Sequence, residues 1–116
     1  MTAIARHQSN QKLSRVVVHG ETVYLSGLTA EDKTVDTEAQ TRQVLARADE
    51  LLASVGTDRS KLLLTQIYLR DTGDFDAMNR AWIDWLGEAA PPARITVGAD
   101  FALAEIRGEI LFTAAL

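Results

Sequence analysis

Side chains able to carry nucleophilic or acid–base chemistry are sparse in this 116-residue chain. It contains no cysteine, which excludes thiolate nucleophiles, disulfide bonds and thiolate metal sites. None of its serines lies in the Gly-x-Ser-x-Gly pattern that raises a nucleophile on a strand-to-helix turn. His7 and His19 have no second histidine or acid at ligand spacing, so we expect no metal site and interpret both as surface or hairpin residues. Triad and metal chemistry are therefore disfavoured.

Charged side chains are the remaining candidates. Taken by itself, Arg94 reads as a strand-edge residue paired with a nearby acid. Glu109 reads as the partner of Arg107, which lies two residues earlier on the same strand. Neither arrangement alone indicates a site.

Composition sets the class of protein. Sixteen acidic against twelve basic residues give a formal charge of −4, and no run of lysine or arginine interrupts the chain, so nucleic acid is not an expected partner. There is no glycine-rich phosphate loop or dinucleotide fingerprint, so no cofactor is implied. Residues 1–10 lack the apolar run of a signal peptide, and no segment approaches the ~20 apolar residues of a membrane span. We expect one cytoplasmic domain over residues 1–116 and no membrane partner.

Turn formers divide the N-terminal half into a hairpin and a helix. Residues 15–19 and 22–26 are β-branched segments that read as two strands, with Gly20 supplying the turn. A helix then ends at Gly56. Its apolar residues recur with helical period at Val44, Leu45, Ala48, Leu51, Leu52 and Val55.

Capping residues mark where both helices begin. Asp36 or Thr37 can cap the first helix, and Thr37 with Gln40 has the spacing of a capping box. Asp74 is predicted to cap a second helix over residues 75–86. Its expected buried side carries Phe75, Met78, Trp82 and Trp85.

Three further strands complete the chain. We predict them over residues 61–70, where the run Leu62-Leu63-Leu64 looks buried, over residues 93–99 after two prolines, and over residues 105–114. The order predicts an α+β fold with a mixed sheet and helices on one face.

The first two strands carry many apolar residues. Val16, Val18, Val23 and Leu25 cannot, on this interpretation, all point at the same two helices. A curved sheet could cover itself, but burial against other copies of the chain is the interpretation we prefer.

Three blocks of the sequence form a recognisable set. They are Tyr-Leu-Ser-Gly at residues 24–27, Asp-Phe-Asp-Ala-Met-Asn-Arg-Ala-Trp at 74–82 and Pro-Pro-Ala-Arg-Ile-Thr-Val at 91–97. Together they resemble the signatures of the Rid family, also called YjgF. The order and spacing of these blocks are similar to those of the family from about residue 15 to residue 115. The amino-acid sequence of the second block is most similar to that of the YoaB-like branch.

The resemblance implies a chorismate-mutase-like fold and an assembly. In it, a mixed six-stranded sheet carries two helices on one face, and three copies form a central barrel with clefts between subunits. The ligand of such a cleft is a small carboxylate metabolite: a keto, imino or amino acid.

The same resemblance assigns binding residues. The family's arginine matches Arg94, whose planar guanidinium can donate two parallel hydrogen bonds to a carboxylate. The backbone amides of Gly27 and Thr96 fall beside the ligand, and strand alternation puts the Thr96 side chain on the face of Arg94, where its hydroxyl could equally be solvated or satisfied in the core. Asn79 matches an asparagine of the second helix and could equally brace a loop.

One departure from the family concerns catalysis. Deaminating members carry a glutamate where this chain has Leu111, and an alkyl group cannot orient water or exchange a proton. The nearest candidate substitute for the catalytic role is Glu109, ~6.6 Å away on the same strand face, and Glu105 is further still. Two functions remain open: a homotrimer that binds a carboxylate with weak or no turnover, and an active imine or enamine deaminase that releases ammonia.

Overall fold

The regular elements of residues 2–116 are six strands, two α-helices and two short 3-10 helices. In this computed structural model, which describes residues 2–116, the strands form one sheet. The elements in chain order are β1 (Ile4–Ser9), β2 (Ser14–His19), β3 (Thr22–Leu25), α1 (Thr37–Ser54), β4 (Leu62–Leu69), α2 (Phe75–Leu86), β5 (Ala93–Gly98) and β6 (Gly108–Ala115).

The sheet is mixed, in the order β1-β2-β3-β6-β4-β5. Only the β4–β5 pair is parallel, because α2 returns the chain to the starting end of β4 before β5 begins. Both helices pack on one face, so the predicted six-stranded α+β fold is confirmed. The elements predicted by periodicity lie within a few residues of their expected bounds, except that the last strand begins at Gly108 rather than at residue 105.

The strand β1 was not predicted. It pairs antiparallel with β2, and all six of its residues are exposed. Two apolar residues, Ile4 and Ala5, are adjacent and four polar residues follow, so the segment lacks the alternation by which a strand is recognised. His7 lies in β1 and His19 at the end of β2, both exposed, as expected for surface or hairpin residues.

Four apolar residues of the first hairpin face the helices. Register pairs Val16 with Leu25 and Val18 with Val23, which puts all four on one face. The expectation that they could not share the helix-facing side is therefore wrong. The two strands are aligned by a two-residue turn at Gly20, where φ is +61°, and this alignment brings the four side chains together.

Two predicted burial patterns were also wrong. Of the leucine run, only Leu62 is buried, whereas Leu63 is 50% and Leu64 39% exposed. An irregularity in the β4–β6 register between Leu62 and Leu64 disrupts the alternation there. Phe75, expected on the buried side of α2, is 40% exposed, because it lies in the first turn beside the edge strand β5.

The helix caps differ in part from the prediction. Asp36 caps α1 by accepting from the Ala39 N–H at 2.9 Å. Gln40 does not form a capping box. Its amide donates to the carbonyls of Lys33, Val35 and Glu105, so it ties together the loops that precede α1 and β6. Asp74 occupies the N-cap position before α2, as predicted, but its side chain makes no capping hydrogen bond.

Among residues 2–116 no element covers the sheet face away from the helices, here called the open face. It carries apolar side chains on all six strands. Exposed examples are Ile4 at 48%, Tyr24 at 46%, Leu64 at 39%, Ile95 at 51% and Val97 at 38%. Exposed apolar area on this scale is typical of a surface that contacts another protein.

Candidate functional site

Arg94 lies on β5 and points towards α2. Its register partner is Thr65, which is fully buried under the helices, so both lie on the helix-facing side. The Arg94 Nη1 donates to Asn79 Oδ1 at 2.7 Å. Its Cζ lies 5.6 Å from the ring centroid of Trp82 and 5.8 Å from that of Phe75, within the range of cation–π attraction. We call Arg94, Asn79, Phe75, Trp82 and Thr96 the arginine edge.

No acid neutralises Arg94 among residues 2–116, so the expected pairing with a nearby carboxylate is wrong. Burial lowers the pKa of Arg94, because desolvation disfavours its charged form. Guanidinium nonetheless stays protonated in proteins. Asn79 therefore orients the group through a neutral oxygen and leaves its charge available. The site is a half-buried cation of fixed direction.

Thr96 lies on the same face as Arg94, as alternation predicted. Its hydroxyl is neither solvated nor satisfied in the core, because Oγ1 is buried and has no hydrogen-bond partner. Ala99 donates its N–H to the Leu69 carbonyl at 2.9 Å, and alternate amides of a strand point in opposite directions. The Thr96 N–H consequently points to the free edge of β5, the last strand of the sheet.

Gly27, Glu109 and Leu111 come together on the open face, and we call them the glutamate face. Leu28 and Ile110 exchange backbone hydrogen bonds at 2.9 and 3.1 Å, which puts Gly27 beside β6. A Cβ atom added to Gly27 would lie 2.5 Å from Glu109 Oε2. The absence of a side chain at Gly27 is therefore what lets the carboxylate lie against the backbone there.

Glu109 has a different neighbour from the one expected. Arg107 contacts Asp74 Oδ2 at 3.4 Å and forms no ion pair with Glu109, so that predicted pair is wrong. The reason is that Arg107 precedes β6 and turns towards the start of α1, where it also reaches Thr37. Across the sheet Glu109 faces Tyr68, and it makes no ion pair in the part of the chain that the structure describes.

The two groups of residues are well separated. Arg94 lies on the helix-facing side and Glu109 on the open face, and β4 runs between their strands. A groove of about 560 Å³ adjoins Gly27, lined by the loop after β3 and by α1, and Arg94 is not among its lining residues. One copy of the chain therefore does not bring Arg94 and Gly27 into a common pocket.

Sequence reasoning did not give Phe75, Trp82 and Tyr68 a place at the site. Phe75, Asn79 and Trp82 are spaced four and three residues apart, so they share one stripe of α2, and that spacing could have identified them as neighbours of a single group. Tyr68 becomes the neighbour of Glu109 through the β4–β6 register, which no local pattern reports.

Within residues 2–116 no group of three or more histidine, aspartate or glutamate side chains is arranged to hold a metal ion. Neither helix is long and apolar enough to cross a membrane.

Known proteins similar to this one cover nearly all of its length. A family model described as Endoribonuclease L-PSP matches residues 3–116. The RutC family protein YoaB of Escherichia coli is 35% identical over 97% of this chain and 98% of its own. A crystal structure of a YjgF family member from Neisseria meningitidis is 38% identical, with a TM-score of 0.92 over 97% of this chain and 94% of that one.

A more distant relative has a name that states an activity. It is the 3-aminoacrylate deaminase RutC of Acinetobacter baylyi, 31% identical over 75 residues, or 60% of each chain. Since the family model matches nearly the whole chain, and since relatives of full length agree with it in sequence and in fold, the chain belongs to the Rid (YjgF) family and resembles its YoaB branch.

Proposed function

We propose that this protein binds a small carboxylate-bearing metabolite, a keto, imino or amino acid, in clefts between the subunits of a homotrimer. The observation that carries the proposal is Arg94, a half-buried guanidinium that is oriented by Asn79 at 2.7 Å and neutralised by no acid among residues 2–116. Such a group can donate two parallel hydrogen bonds to a carboxylate. The unpaired N–H of Thr96 at the same edge supplies a further donor.

The trimer is supported by the open face and by the separation of the two groups. The exposed apolar side chains of the open face would be buried by neighbouring copies. Because the arginine edge and the glutamate face lie apart in one chain, a ligand that contacts both takes them from two copies. A cleft between subunits is the arrangement that satisfies both requirements.

Weak or absent turnover follows from Leu111. This alkyl side chain lies on the open face between Glu109 and Thr113. The family resemblance implies that deaminating members carry a glutamate at this position. Without a proton-transferring group there, the usual contribution of ~10²–10⁴ to the rate is lost. The ribonuclease activity in the family description is not proposed for this chain. Its net charge is −4, and it has no run of lysine or arginine that could bind the phosphates of RNA.

Calorimetric titration with small carboxylates tests the proposal. Arg94→Ala should abolish binding, at a cost of about 2–5 kcal/mol, while the chain remains folded. Arg94→Lys should restore little, because an ammonium group lacks the planar fork. Arg80→Ala is the matched control, since Arg80 follows Asn79 on α2 but pairs with Glu38 at 2.8 Å and has a side chain that is 63% exposed. Unchanged affinity in Arg94→Ala would place the site elsewhere.

An active deaminase is the second candidate. It is favoured by the relative from Acinetobacter baylyi named as a 3-aminoacrylate deaminase, and by Glu109, whose carboxylate lies against Gly27 with no ion-pair partner in the described chain. The measurement is ammonia release from 2-aminoacrylate generated enzymatically in the same vessel. Robust release that Glu109→Gln abolishes would make this an enzyme, whereas the binding function predicts a rate close to that of buffer.

A further inference from the structure

A groove of about 560 Å³ lies between α1 and the loop that joins β3 to α1. Its volume is within the range of pockets that hold small molecules. Its walls are residues 27–33 of the loop, one side of α1, and Arg15 near the start of β2. Neither Arg94 nor Glu109 lines it, so the carboxylate function proposed above gives the groove no role.

The loop wall of the groove is fastened to α1. Gln43 Nε2 donates to the Asp32 carbonyl at 3.1 Å, and the Asp32 N–H donates back to Gln43 Oε1 at 3.0 Å. Lys33 Nζ donates to the Ala30 carbonyl at 2.6 Å. The Asp32 carboxylate accepts from the Thr34 hydroxyl at 2.6 Å, and Asp32 does not line the groove. The groove is therefore formed before any ligand arrives.

The charged residues of the groove differ in burial according to their sign. Its three cations, Arg15, Lys33 and Arg47, are half-buried, whereas its two acids, Glu31 and Glu50, are exposed. Arg47 pairs with Glu50 at 3.0 Å. Arg15 and Lys33 form no ion pair among residues 2–116. Since water screens an exposed acid more than a half-buried cation, the groove is a positive region on a chain whose formal charge is −4.

A backbone amide in the loop wall also lacks an acceptor. Ala30 is 1% exposed, and its N–H donates to no acceptor among residues 2–116. Buried backbone amides without a partner are rare in native proteins. Because Ala30 lines the groove, an oxygen atom bound there would supply the missing acceptor.

We propose that this groove is a second binding site, which takes the phosphoryl group of a small phosphorylated metabolite. A phosphate monoester is close to a dianion at neutral pH, and Arg15 and Lys33 are two cations without an acid. A single carboxylate brings one charge and leaves one of the two cations unsatisfied. The guanidinium of Arg15 also presents paired donors that match the oxygen atoms of phosphate.

Ion pairs with another copy of the chain are the competing explanation. In that case acids of a neighbouring copy satisfy Arg15 and Lys33, and the groove needs no ligand. Removal of either cation would then weaken the assembly, and the wild type would bind no phosphate. Light scattering on each variant is included in the experiment for this reason.

The test compares phenyl phosphate with phenyl sulfate by calorimetric titration at about pH 8 and low ionic strength. The two compounds have nearly the same shape, but the phosphate is a dianion there, because its second pKa is about 6, whereas the sulfate carries one charge. We expect at least about tenfold tighter binding of the phosphate, both in the wild type and in Arg94→Ala, which lacks the arginine of the other site. Equal affinity for the two compounds, or no binding of either, would overturn the proposal.

Substitutions in the groove assign the site. Arg15→Gln and Lys33→Gln each remove one charge and should weaken phenyl phosphate binding by about tenfold or more. Lys61→Gln, at an exposed lysine before β4, is the matched control and should not. Glu31→Gln should strengthen binding a few-fold, because it removes an acid that repels the dianion. A gain of this kind does not arise from damage to the fold.

The remaining outcomes distinguish the groove from other locations. If Arg94→Ala abolishes phenyl phosphate binding and Arg15→Gln does not, the anion binds at the arginine edge and the second site is overturned. Full affinity in both Arg15→Gln and Lys33→Gln would overturn it as well. If the wild type binds no phosphate and Arg15→Gln has a smaller mass in light scattering, the cations pair with another copy and the proposal fails.

Discussion

Arg94 and Glu109 lie on opposite faces of one sheet, and the structure holds them in different ways. Arg94 is fixed by an amide at 2.7 Å and by two aromatic rings. Glu109 has no ion-pair partner in the described chain and owes its place to the missing side chain of Gly27. The arginine edge is thus a rigid receptor supported by α2, whereas the glutamate face is an uncovered surface whose shape depends on what packs against it.

This difference indicates how the family's fold is used here. A neutral amide at Asn79 orients the cation without consuming its charge, so the arginine edge is complete before a ligand arrives. In the proposed trimer the glutamate face is completed by another copy. On this proposal only the glutamate face depends on assembly. Substitutions in the arginine edge should therefore change ligand affinity without changing the oligomeric state, and substitutions on the open face should change both.

Breaking the assembly should have the largest effect. Ile95→Glu puts a charge on the open face, where Ile95 is 51% exposed, and an uncompensated charge is not tolerated in an apolar interface. We expect a folded monomer of 12.7 kDa in place of a trimer, with no carboxylate binding. Light scattering with calorimetry measures both properties. Ile83→Glu, at a 67% exposed position on α2, should change neither. A wild-type protein that is monomeric at micromolar concentration would contradict the proposal that another copy completes the glutamate face.

Installing an acid on the glutamate face should give the next largest effect. Leu111→Glu would point its carboxylate from the open face beside Glu109, and repulsion between the two acids should raise the pKa of the new group. A carboxyl group with a raised pKa is a suitable proton donor, so the rate of imine hydrolysis should rise by up to ~10²–10⁴ over the wild type. The decay of 2-aminoacrylate generated in place measures it. Arg94→Ala in the same background should abolish the gain.

Much of the fold was predictable from local pattern. Helical period and capping residues identified α1 and α2, and β-branched runs identified β2, β3 and the later strands, because each signal depends on neighbours in sequence. The strand β1 escaped because its exposed residues do not alternate. The register of the strands could not be predicted from the sequence either. The error over Val16 and Val18 arose because a face was assumed for each residue without knowledge of the register.

The candidate site was predictable residue by residue but not as an arrangement. The alternation that puts Thr96 on the face of Arg94 is local and was correct. That Arg94 and Leu111 lie on opposite faces depends on a parallel β4–β5 pair and on β4 lying between β5 and β6. Such a strand order results from long-range packing, which a single sequence does not display.

Substitution of Asn79 sharpens the interpretation of the arginine edge. Asn79→Ala should lower carboxylate affinity by up to about tenfold, since the guanidinium loses its oriented acceptor. Asn79→Asp should lower it further, because an aspartate would neutralise Arg94 and compete with the ligand. Titration of both variants with one carboxylate decides the order. Stronger binding by the aspartate variant would show that the neutral amide has no part in keeping the charge available.

The smallest effect is expected at Thr96, where stability and affinity should change independently. Its Oγ1 is buried without a partner, as is Oγ1 of Thr65. Replacing either residue by valine removes an unsatisfied hydroxyl and nearly conserves volume, so each variant should be as stable as the wild type or more stable by about 1 kcal/mol in denaturant titration. Thr65 is 0% exposed and cannot reach a ligand, so the Thr65→Val variant should keep its full affinity for carboxylates. The Thr96→Val variant should lose a few-fold in carboxylate affinity, because its hydroxyl lies on the face of Arg94. Equal affinity in the two valine variants would limit the contribution of residue 96 to its backbone N–H.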